Sequence, residues 1–596
     1  MTKPKYDLKD FLSIKTSIAV SFSPNGKRLA VSSNLTGTSQ LYIINRDGSG
    51  LEQLTFFEDS IDSATFSPTK PEIIFGMALG GNENYQLYIY DLDKKEYRKL
   101  TDSPKVRFGW GCWSRDGKYI AFSSNERNGT DFDIYTMELE TGTIKNIFEK
   151  GGWCNAGGFS PSGKYLAVMR QRTNVSNEMY LVDLNNGGCE LVSSSEGETS
   201  SGAPRWLPDE SGFYYRTNKD RDFIGLVLFN MNDKKSKYVM EKDWDIGNPA
   251  ITQDGKYLAV SVNEDGYDNL VIYSTDDMQP IDNQTMPPGT SYGFNWSRDG
   301  KYLLINAGSA TSPTCSYIWS RESNVTTKIT SVSSNIPEDI FIEPELIKYR
   351  SFDGLEIPAL LYSPDVTKNK KVPVIINIHG GPEGQSRADF SPLTQYLLTA
   401  GYAVVFPNVR GSIGYGKKYL HLDDVEKRMD SVTDIVELHK YLSNKPEIDT
   451  QKMVLMGGSY GGFMVLAGLA FYPDLWAAGV DIVGISNFIT FLENTAPYRR
   501  ALREDEYGSL KNDRKFLESI SPFNHVDDIK SPLFIVHGQN DPRVPLAEAE
   551  QIYKKLNDRG KTVKLLVYPD EGHGISKLKN RLDLWPQVID FLDGLD

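Results

Sequence analysis

A serine framed by glycines is the first feature of the chain that could do chemistry. Residues 457–462 read GGSYGG, between the apolar segments MVLM and FMVLAGLA. Glycine tolerates positive φ and close backbone approach, so this stretch predicts a sharp turn between a buried strand and a helix. Such a turn would push the hydroxyl of Ser459 outward, and the spacing G-x-S-x-G is that of a nucleophile for acyl transfer. Taken alone, the pattern also fits an ordinary glycine-rich turn.

A serine hydroxyl needs a neighbouring base, and His573 is the best placed of the six histidines. All six lie beyond residue 378, and an imidazole can take the serine proton near neutral pH. His573 follows the apolar segment VKLLVYP and stands between Gly572 and Gly574. A loop after a late strand suits the chain order Ser, acid, His, so His573 is predicted to be the base.

The base in turn needs a carboxylate that fixes its tautomer. Asp541 follows the apolar segment PLFIVH and lies between the serine and the histidine in the chain. Asp570 and Glu571 share the loop of the histidine and are expected to shape the turn. Asp541 is therefore predicted to be the acid, with Asp481, within the segment AAGVDIVG, as the alternative.

Acyl transfer also requires N–H donors aimed at the developing oxyanion. The N–H of Tyr460, directly after the serine, is one expected donor. The loop INIHGGP at residues 376–382 resembles the HGGG loop of esterases, and Gly381 is predicted to supply the second N–H. The alternative is that these glycines only turn the chain.

The segments around these residues alternate between apolar strands and helices. Continuous Val/Ile/Leu runs separated by helices are what a parallel sheet covered on both faces requires. The segment IPEDIFIEPE, after about residue 335, reads as a linker. Residues 336–596 are therefore predicted to form one α/β-hydrolase domain with a doubly wound, mostly parallel sheet.

The preceding residues contain an internal repeat. One phrase starts at residues 22, 66, 113, 159, 206, 251 and 296, which is seven copies 44 to 47 residues apart. It consists of an aromatic residue, replaced by Ile251 in the sixth copy, then turn residues and an apolar strand. A repeat of this length built from short strands is typical of a β-propeller blade, whereas a β-sandwich has no such register. Residues 1–335 are predicted to form a seven-bladed β-propeller with a short N-terminal extension at 1–20.

Composition excludes several classes of partner. The formal net charge of -14 argues against nucleic acid, which is bound by lysine and arginine. No apolar stretch approaches a membrane span, and the start of the chain has no apolar core of a signal peptide. The four cysteines lack C-x-x-C spacing, so buried thiols of a cytoplasmic protein are expected. No cofactor and no metal site are predicted.

Taken together, these motifs make the whole chain resemble the serine peptidases of the prolyl oligopeptidase family, specifically its acylaminoacyl-peptidase-like branch. The resemblance rests on the seven repeats followed in order by HGGP, PNVRGSIGYG, GGSYGG, NDPRVP and EGHG. It implies a triad of Ser459, Asp541 and His573, and it assigns Arg543 to the carbonyl of the substrate's P2 residue. Phe488 and Phe491 are expected to line the S1 pocket, although aromatic residues there could equally be core.

The resemblance also bears on substrate choice. Relatives of the dipeptidyl-peptidase branch hold a free amino terminus with paired glutamates, and no Glu-Glu dipeptide occurs in this chain. The expected substrates are therefore short peptides, above all N-acylated ones. Three alternatives stay open: a carboxylesterase, a dipeptidyl peptidase or oligopeptidase of the same fold, and an inert propeller binding protein. Oligomeric state is open, with a homo-oligomer among the alternatives.

Overall fold

The computed structural model describes residues 5–193, 197–282, 286–365 and 371–595. A ring of small antiparallel sheets comes first in the chain, and one large, mostly parallel sheet follows. The predicted fold class, a seven-bladed β-propeller followed by an α/β-hydrolase domain, is confirmed.

The propeller consists of seven sheets whose strands are consecutive in the chain. The strands of blades 1 to 3 are β1 Ser17–Phe22, β2 Arg28–Ser33, β3 Gln40–Asn45, β4 Glu52–Gln53, β5 Ile61–Phe66, β6 Glu72–Met77, β7 Gln86–Asp91, β8 Glu96–Lys99, β9 Phe108–Trp113, β10 Tyr119–Ser124, β11 Asp133–Glu138 and β12 Ile144–Phe148. Those of blades 4 and 5 are β13 Cys154–Phe159, β14 Tyr165–Gln171, β15 Asn177–Asp183, β16 Cys189–Leu191, β17 Arg205–Trp206, β18 Gly212–Thr217, β19 Gly225–Asn230 and β20 Lys235–Met240. Those of blades 6 and 7 are β21 Asp245–Ile246, β22 Ala250–Ile251, β23 Tyr257–Glu264, β24 Tyr267–Ser274, β25 Pro280–Asp282, β26 Thr290–Trp296, β27 Tyr302–Gly308, β28 Cys315–Ser320 and β29 Val325–Lys328.

The repeated phrase spans the first turn of each blade. In blade 7, Ser297 donates its hydroxyl hydrogen to Asp299 at 2.6 Å and accepts from the N–H of Tyr302 at 3.0 Å. Gly300 supplies the positive φ, 66°, that the turn needs. Short polar side chains that bond to nearby backbone favour turns over strands, which is why this pattern marks the hairpins so regularly.

In the described residues, blades 7 and 1 share no strand, and they meet through side chains and through a backbone bridge between Lys15, before β1, and Ser333, after β29. The N–H of Ala19 donates to Ser316 Oγ at 2.7 Å, and the amide of Asn306 donates to Ala19 O at 3.0 Å. Leu304 and Ile318 pack against the apolar residues of blade 1. Buried side-chain hydrogen bonds, the Lys15–Ser333 bridge and one apolar cluster thus take the place of a shared strand.

The hydrolase sheet has eight strands in the order β30-β31-β33-β32-β34-β35-β36-β37, parallel from β33 to β37. They are β30 Glu345–Arg350, β31 Glu356–Tyr362, β32 Val372–Ile378, β33 Ala403–Pro407, β34 Ile448–Gly458, β35 Ala478–Ile482, β36 Leu533–Gly538 and β37 Val563–Tyr568. The α-helices of the described residues are α1 Leu8–Leu12, α2 Pro392–Thr399, α3 Lys417–Leu420, α4 Arg428–Ser443, α5 Tyr460–Phe471, α6 Phe488–Asn494, α7 Pro497–Tyr507, α8 Arg514–Ile520, α9 Ala547–Asn557 and α10 Leu578–Asp593.

Both faces of this sheet are covered, which explains its continuous apolar strands. Ile376 and Leu455 belong to the hydrophobic core on one face. Their neighbours Ile375 and Val454 belong to the core on the other face. Because successive side chains of a strand point to opposite faces, each strand needs apolar residues at every position.

The N-terminal extension packs on the hydrolase domain. Leu8 and Leu12 of α1 lie in the same apolar cluster as Leu397 of α2 and Leu584 of α10. The last blade strand ends at Lys328 and β30 begins at Glu345, so the domain boundary predicted near residue 335 lies within the connecting segment. Among the described residues, no helix is long and apolar enough to cross a membrane.

An imidazole joins the two domains at one edge of their interface. His421 places Nε2 2.7 Å from a carboxylate oxygen of Glu198 in the propeller, and Nδ1 2.7 Å from Asp424 in its own domain. The hydrogen bond with Asp424, and then that with Glu198, raises the pKa of His421 to about 10. The imidazole is therefore a cation between two carboxylates at neutral pH.

We expect the contacts of His421 with Glu198 and Asp424 to make the stability of the protein pH-dependent. A pKa raised on folding adds stability that is fully present below the ordinary histidine value of about 6.5. That stability is lost as the pH rises through about 10. In thermal unfolding from pH 6 to 10, the Tm of His421→Asn should lie below that of wild type at pH 6 and converge on it towards pH 10. The difference should be small, ~1 kcal/mol or less, because the group is partly exposed.

The control is His525→Asn, which replaces a histidine whose Nε2 lies 2.8 Å from Ser519 O, within the hydrolase domain. This variant should show no comparable trend. A Tm difference between wild type and His421→Asn that stays constant across the pH range would contradict a stabilising role of the charged His421.

Candidate active site

Ser459 stands at the tip of a strained turn between β34 and α5. Its φ is 59° and its ψ is -118°, a conformation that residues with a side chain rarely adopt. Its N–H donates to Ile482 O at 2.9 Å, which ties the turn to β35. The predicted sharp turn between a buried strand and a helix is present, at the carboxyl edge of the sheet.

The glycines around the serine are required by close backbone approach. A Cβ at Gly461 would lie 2.1 Å from Ile378 O, and one at Gly462 would lie 2.3 Å from Asp481 Oδ1. A Cβ at Gly457 would lie 2.4 Å from Gly461 O. No side chain fits at these three positions, so the glycines let α5 start directly against the strand ends.

Asp541 and His573 meet beyond the ends of β36 and β37. His573 Nδ1 lies 2.7 Å from Asp541 Oδ2, and the Asp541 side chain is fully buried. The other carboxylate oxygen accepts the N–H groups of Arg543 at 2.8 Å and Val544 at 3.1 Å. A carboxylate held in this way keeps the proton on Nδ1 and leaves Nε2 free to accept one.

Asp481, the alternative acid, is placed differently. It is 1% exposed and lies behind the first turn of α5, where its Oδ1 occupies the space that a side chain at Gly462 would need. Burial raises the pKa of Asp481 to about 7. Of the two candidate acids, Asp541 is the one hydrogen-bonded to the imidazole of His573.

The loop after β32 approaches the serine from the other side. A Cβ at Gly380 would lie 3.3 Å from Ser459 Cβ. Gly381 has a φ of 138°, and its carbonyl oxygen accepts from Tyr507 Oη and Arg503 Nη1, both at 3.3 Å. Tyr460 opens α5, where the first N–H groups of a helix have no partner within the helix. The two predicted oxyanion donors thus belong to segments that flank Ser459.

Arg543 is engaged by a residue that sequence reasoning missed. Its Nε donates to Glu83 Oε1 at 2.5 Å, and its side chain stays 42% exposed. Glu83 comes from the propeller loop between β6 and β7, and its other oxygen accepts from Arg107 at 2.5 Å and Arg499 at 3.1 Å. These three arginines lower the pKa of Glu83 to about 2 against the opposing effect of burial.

The same propeller loop touches the loops that carry the acid and the base. The amide of Asn540 donates to Gly80 O at 2.8 Å. A Cβ at Gly81 would lie 2.4 Å from the backbone nitrogen of Gly572, next to His573. The propeller therefore supports the acid and base loops directly.

The two phenylalanines expected at S1 lie in the core. Phe488 is 0% and Phe491 is 2% exposed, and both rings pack against Tyr507, with centroids 4.9 and 6.1 Å away. Tyr507 also stacks on Tyr460 at 6.3 Å. The described cavities are not lined by either phenylalanine, so their role in substrate binding stays a prediction.

The buried side chain of Arg428 contacts the hydroxyl of Tyr460. Arg428 is fully buried, forms ion pairs with Asp423 and Glu506, and donates to Tyr460 Oη at 3.3 Å. Asp423, Asp424 and Glu506 are also the one described group of three side chains spaced to hold a metal ion. The guanidinium already bridges two of these carboxylates, so it supplies the cation there.

Comparison with known proteins agrees with this architecture. Residues 388–595 match the model of the prolyl oligopeptidase family, and residues 77–223 match that of the TolB beta propeller domain. The chain is similar to dipeptidyl aminopeptidase BIII of Pseudoxanthomonas mexicana, at 27% identity over 94% of this chain and 84% of that protein.

Solved structures share the fold over nearly the whole chain. A puromycin-hydrolyzing peptidase of Mycobacterium tuberculosis superimposes with a TM-score of 0.87 at 17% identity, covering 100% of this chain and 96% of the other. The acylaminoacyl peptidase of Pyrococcus horikoshii gives a TM-score of 0.75 at 19% identity, covering 99% and 97%.

The resemblance inferred from the sequence motifs is thereby confirmed. Family models match within each half of the chain in the order found in the fold, and the similarity to a curated peptidase runs through both domains. Residues 388–595 thus form a domain of the prolyl oligopeptidase family, and the chain is a serine hydrolase.

Proposed function

We propose that the protein is a peptidase that cleaves short peptides, N-acylated ones among them, through an acyl-enzyme on Ser459. The observation that carries the proposal is the buried carboxylate of Asp541 on Nδ1 of His573, at the same sheet edge as the strained serine. A serine held in a strained turn and an imidazole oriented by a carboxylate are the parts that acyl transfer needs.

The reaction then follows from the hydrogen-bonding state of the imidazole. His573 Nε2 accepts the proton of Ser459 Oγ as the oxygen attacks the scissile carbonyl. The N–H groups of Tyr460 and Gly381 stabilise the oxyanion. His573 returns the proton to the leaving amine, and a water molecule, activated by the same nitrogen, hydrolyses the acyl-enzyme.

Short substrates are favoured because the propeller covers the site. A cavity of about 680 Å³ lies between the domains and reaches Glu383, two residues after Gly381. Its walls include Arg216 of the propeller and Arg387 of the hydrolase domain. This volume is in the range of small-ligand sites, so it suits a short peptide and excludes a folded protein.

The charge beside Arg543 supports acceptance of a blocked amino terminus. Three guanidinium groups contact the carboxylate of Glu83, and Asp62 also lies near Arg107, so the positive charges of this cluster outnumber its carboxylates. Such a cluster repels a protonated amine and attracts a carbonyl oxygen. Arg543, partly exposed beside the acid loop, is proposed to donate to the P2 carbonyl, a group that blocked and unblocked peptides share.

A second candidate is a dipeptidyl aminopeptidase. Glu83 is a buried propeller carboxylate within hydrogen-bonding distance of Arg543, and a substrate amine could displace one arginine from it. The name of the Pseudoxanthomonas mexicana relative agrees with this reading. A carboxylesterase shares the acyl-transfer chemistry, and comparison of peptide amides with p-nitrophenyl esters separates that activity from the other two.

Labelling with a fluorophosphonate tests the nucleophile. We expect the probe to modify Ser459, and Ser459→Ala to abolish both labelling and nearly all peptide turnover. Only the ~10³–10⁴-fold catalysis that binding and the oxyanion hole give over water should remain. Peptide mapping by mass spectrometry locates the modified residue.

The control for this labelling is Ser443→Ala, which removes an exposed serine that bonds to His439 O at the end of α4. This variant should be labelled as fully as wild type. Modification of a serine other than Ser459 would refute the assignment.

A matched pair of substrates tests the amino-terminal preference. We expect acetyl-Ala-Ala-p-nitroanilide to be cleaved at least as well as Ala-Ala-p-nitroanilide, measured as kcat/KM. Glu83→Gln should lower both values by a similar factor, because Arg543 loses the partner that holds it in place. Arg543→Ala should likewise weaken both substrates together.

The opposite pattern would establish the second candidate. Wild type would then prefer the free amine by about a hundredfold, or ~2.7 kcal/mol, and Glu83→Gln would remove that preference while sparing the acetylated peptide. Such a result would replace acyl-peptide specificity by capture of the amine at Glu83.

A further inference from the structure

A separate cavity shares Arg499 with the Glu83 cluster. It has a volume of about 320 Å³ and is lined by Trp153, Asn155, Gln171 and Asn174 of the propeller and by Arg499, Leu502 and Arg503 of α7. This lining contains two arginines, three side-chain amides and no carboxylate. A pocket rich in hydrogen-bond donors and free of acidic groups suits an anion.

Arg499 lines this cavity and also has an unmet hydrogen-bonding capacity. The residue is 9% exposed, and its Nη2 donates to Glu83 at 3.1 Å. Its Nε is buried and has no hydrogen-bond partner within the described part of the chain. A buried donor without a partner is costly, and a bound water, ion or polar ligand group would offset that cost.

Neighbouring cations add to the positive potential at Arg499. Burial and the nearby charges of Arg543 and Arg503 lower the pKa of Arg499, opposed by Glu83. Trp153 lies under the guanidinium, 5.5 Å from its carbon to the ring centroid. The guanidinium is thus held between an aromatic face and a carboxylate, with its Nε still unpaired.

The position of Arg499 relative to Arg543 indicates which part of the substrate would reach Arg499. The two guanidinium groups bind opposite oxygens of one carboxylate, Oε2 and Oε1 of Glu83. They are therefore separated by little more than the width of a carboxylate and two hydrogen bonds. The carbonyl oxygen of an amino acid and a carboxylate on its own side chain span a comparable distance.

We propose that this cavity is a subsite for an acidic side chain, and that the enzyme prefers glutamate or aspartate at P2. The P2 carbonyl meets Arg543 while the P2 carboxylate enters the cavity and bonds to Arg499, with Arg503 on the same wall. The inference rests on the proposed peptidase function and on the proposed role of Arg543. It holds for blocked and for unblocked peptides.

The test compares acetyl-Glu-Ala-p-nitroanilide with acetyl-Gln-Ala-p-nitroanilide, which differ in charge and hardly in shape. Wild type should favour the glutamate peptide by about tenfold in kcat/KM, the worth of one charge-assisted hydrogen bond. In Arg499→Gln the ratio should fall close to one, with KM for the glutamate peptide taking most of the change.

Arg107→Gln is the matched control. Arg107 donates to the same oxygen of Glu83, at 2.5 Å, and is not part of the cavity lining. Its removal should therefore leave the ratio of the two peptides near the wild-type value. A ratio that falls equally in both variants would show that the effect acts through Glu83, and it would overturn the subsite.

Two further outcomes are distinguishable. A wild-type ratio of one or less, with the glutamine peptide well cleaved, would refute the subsite and leave the peptidase function intact. Failure to cleave either peptide would refute the proposed function itself. Should Arg499→Gln not fold, Arg503→Gln on the same wall decides: a lowered ratio supports the subsite, and an unchanged ratio overturns it.

Discussion

The left-handed backbone of Ser459 is the constraint on which the rest of the structure depends. A residue held in such a conformation costs about 1–3 kcal/mol and persists only where its surroundings over-determine it. The surroundings here are the parallel strands β34 and β35, the bond from Ser459 N–H to Ile482 O, and an α5 helix buried along nearly its whole length. The glycines remove the clashes that any side chain would introduce. The doubly wound sheet is thus the support that makes a strained serine stable.

The propeller contacts the loops that carry the predicted catalytic residues. Its loop between β6 and β7 bonds to Asn540, contacts Gly572 and sends Glu83 to Arg543. The acid, the base and the expected P2 donor each lie within a residue or two of one of these contacts. A change in how the propeller sits would therefore move the loops that carry the acid and the base. The positions of the predicted acid and base loops are in this way linked to the propeller by one short loop.

The parts that could be predicted from sequence are those specified by local chemistry. Five of the seven blade turns share a Ser or Thr cap at the same position, which makes the repeat recognisable. The serine turn is recognisable because only glycine fits at the positions around Ser459. Glu83 could not be found in this way, because its three arginines come from three distant segments and meet only in the folded chain. The placement of α1 against the hydrolase domain has the same cause, since its apolar face has no partner nearby in sequence. The aromatic residues of α6 were ambiguous because core and pocket residues share one composition.

The charge of the arginine cluster beside the predicted acid loop is opposite in sign to the net charge of the whole chain. The chain carries a formal charge of -14, yet three guanidinium groups gather around one carboxylate beside the acid loop. At physiological salt, fields from exposed charges fade within ~8 Å, whereas partly buried pairs are screened far less. The net charge of the protein therefore has little influence there, and the local excess of positive charge favours negatively charged or carbonyl groups. Glu83 stabilises this cluster of positive charges, because without its carboxylate the arginines would repel one another. A single propeller side chain thus fixes the positions of several donors before any substrate arrives, so their orientation does not have to be created on binding.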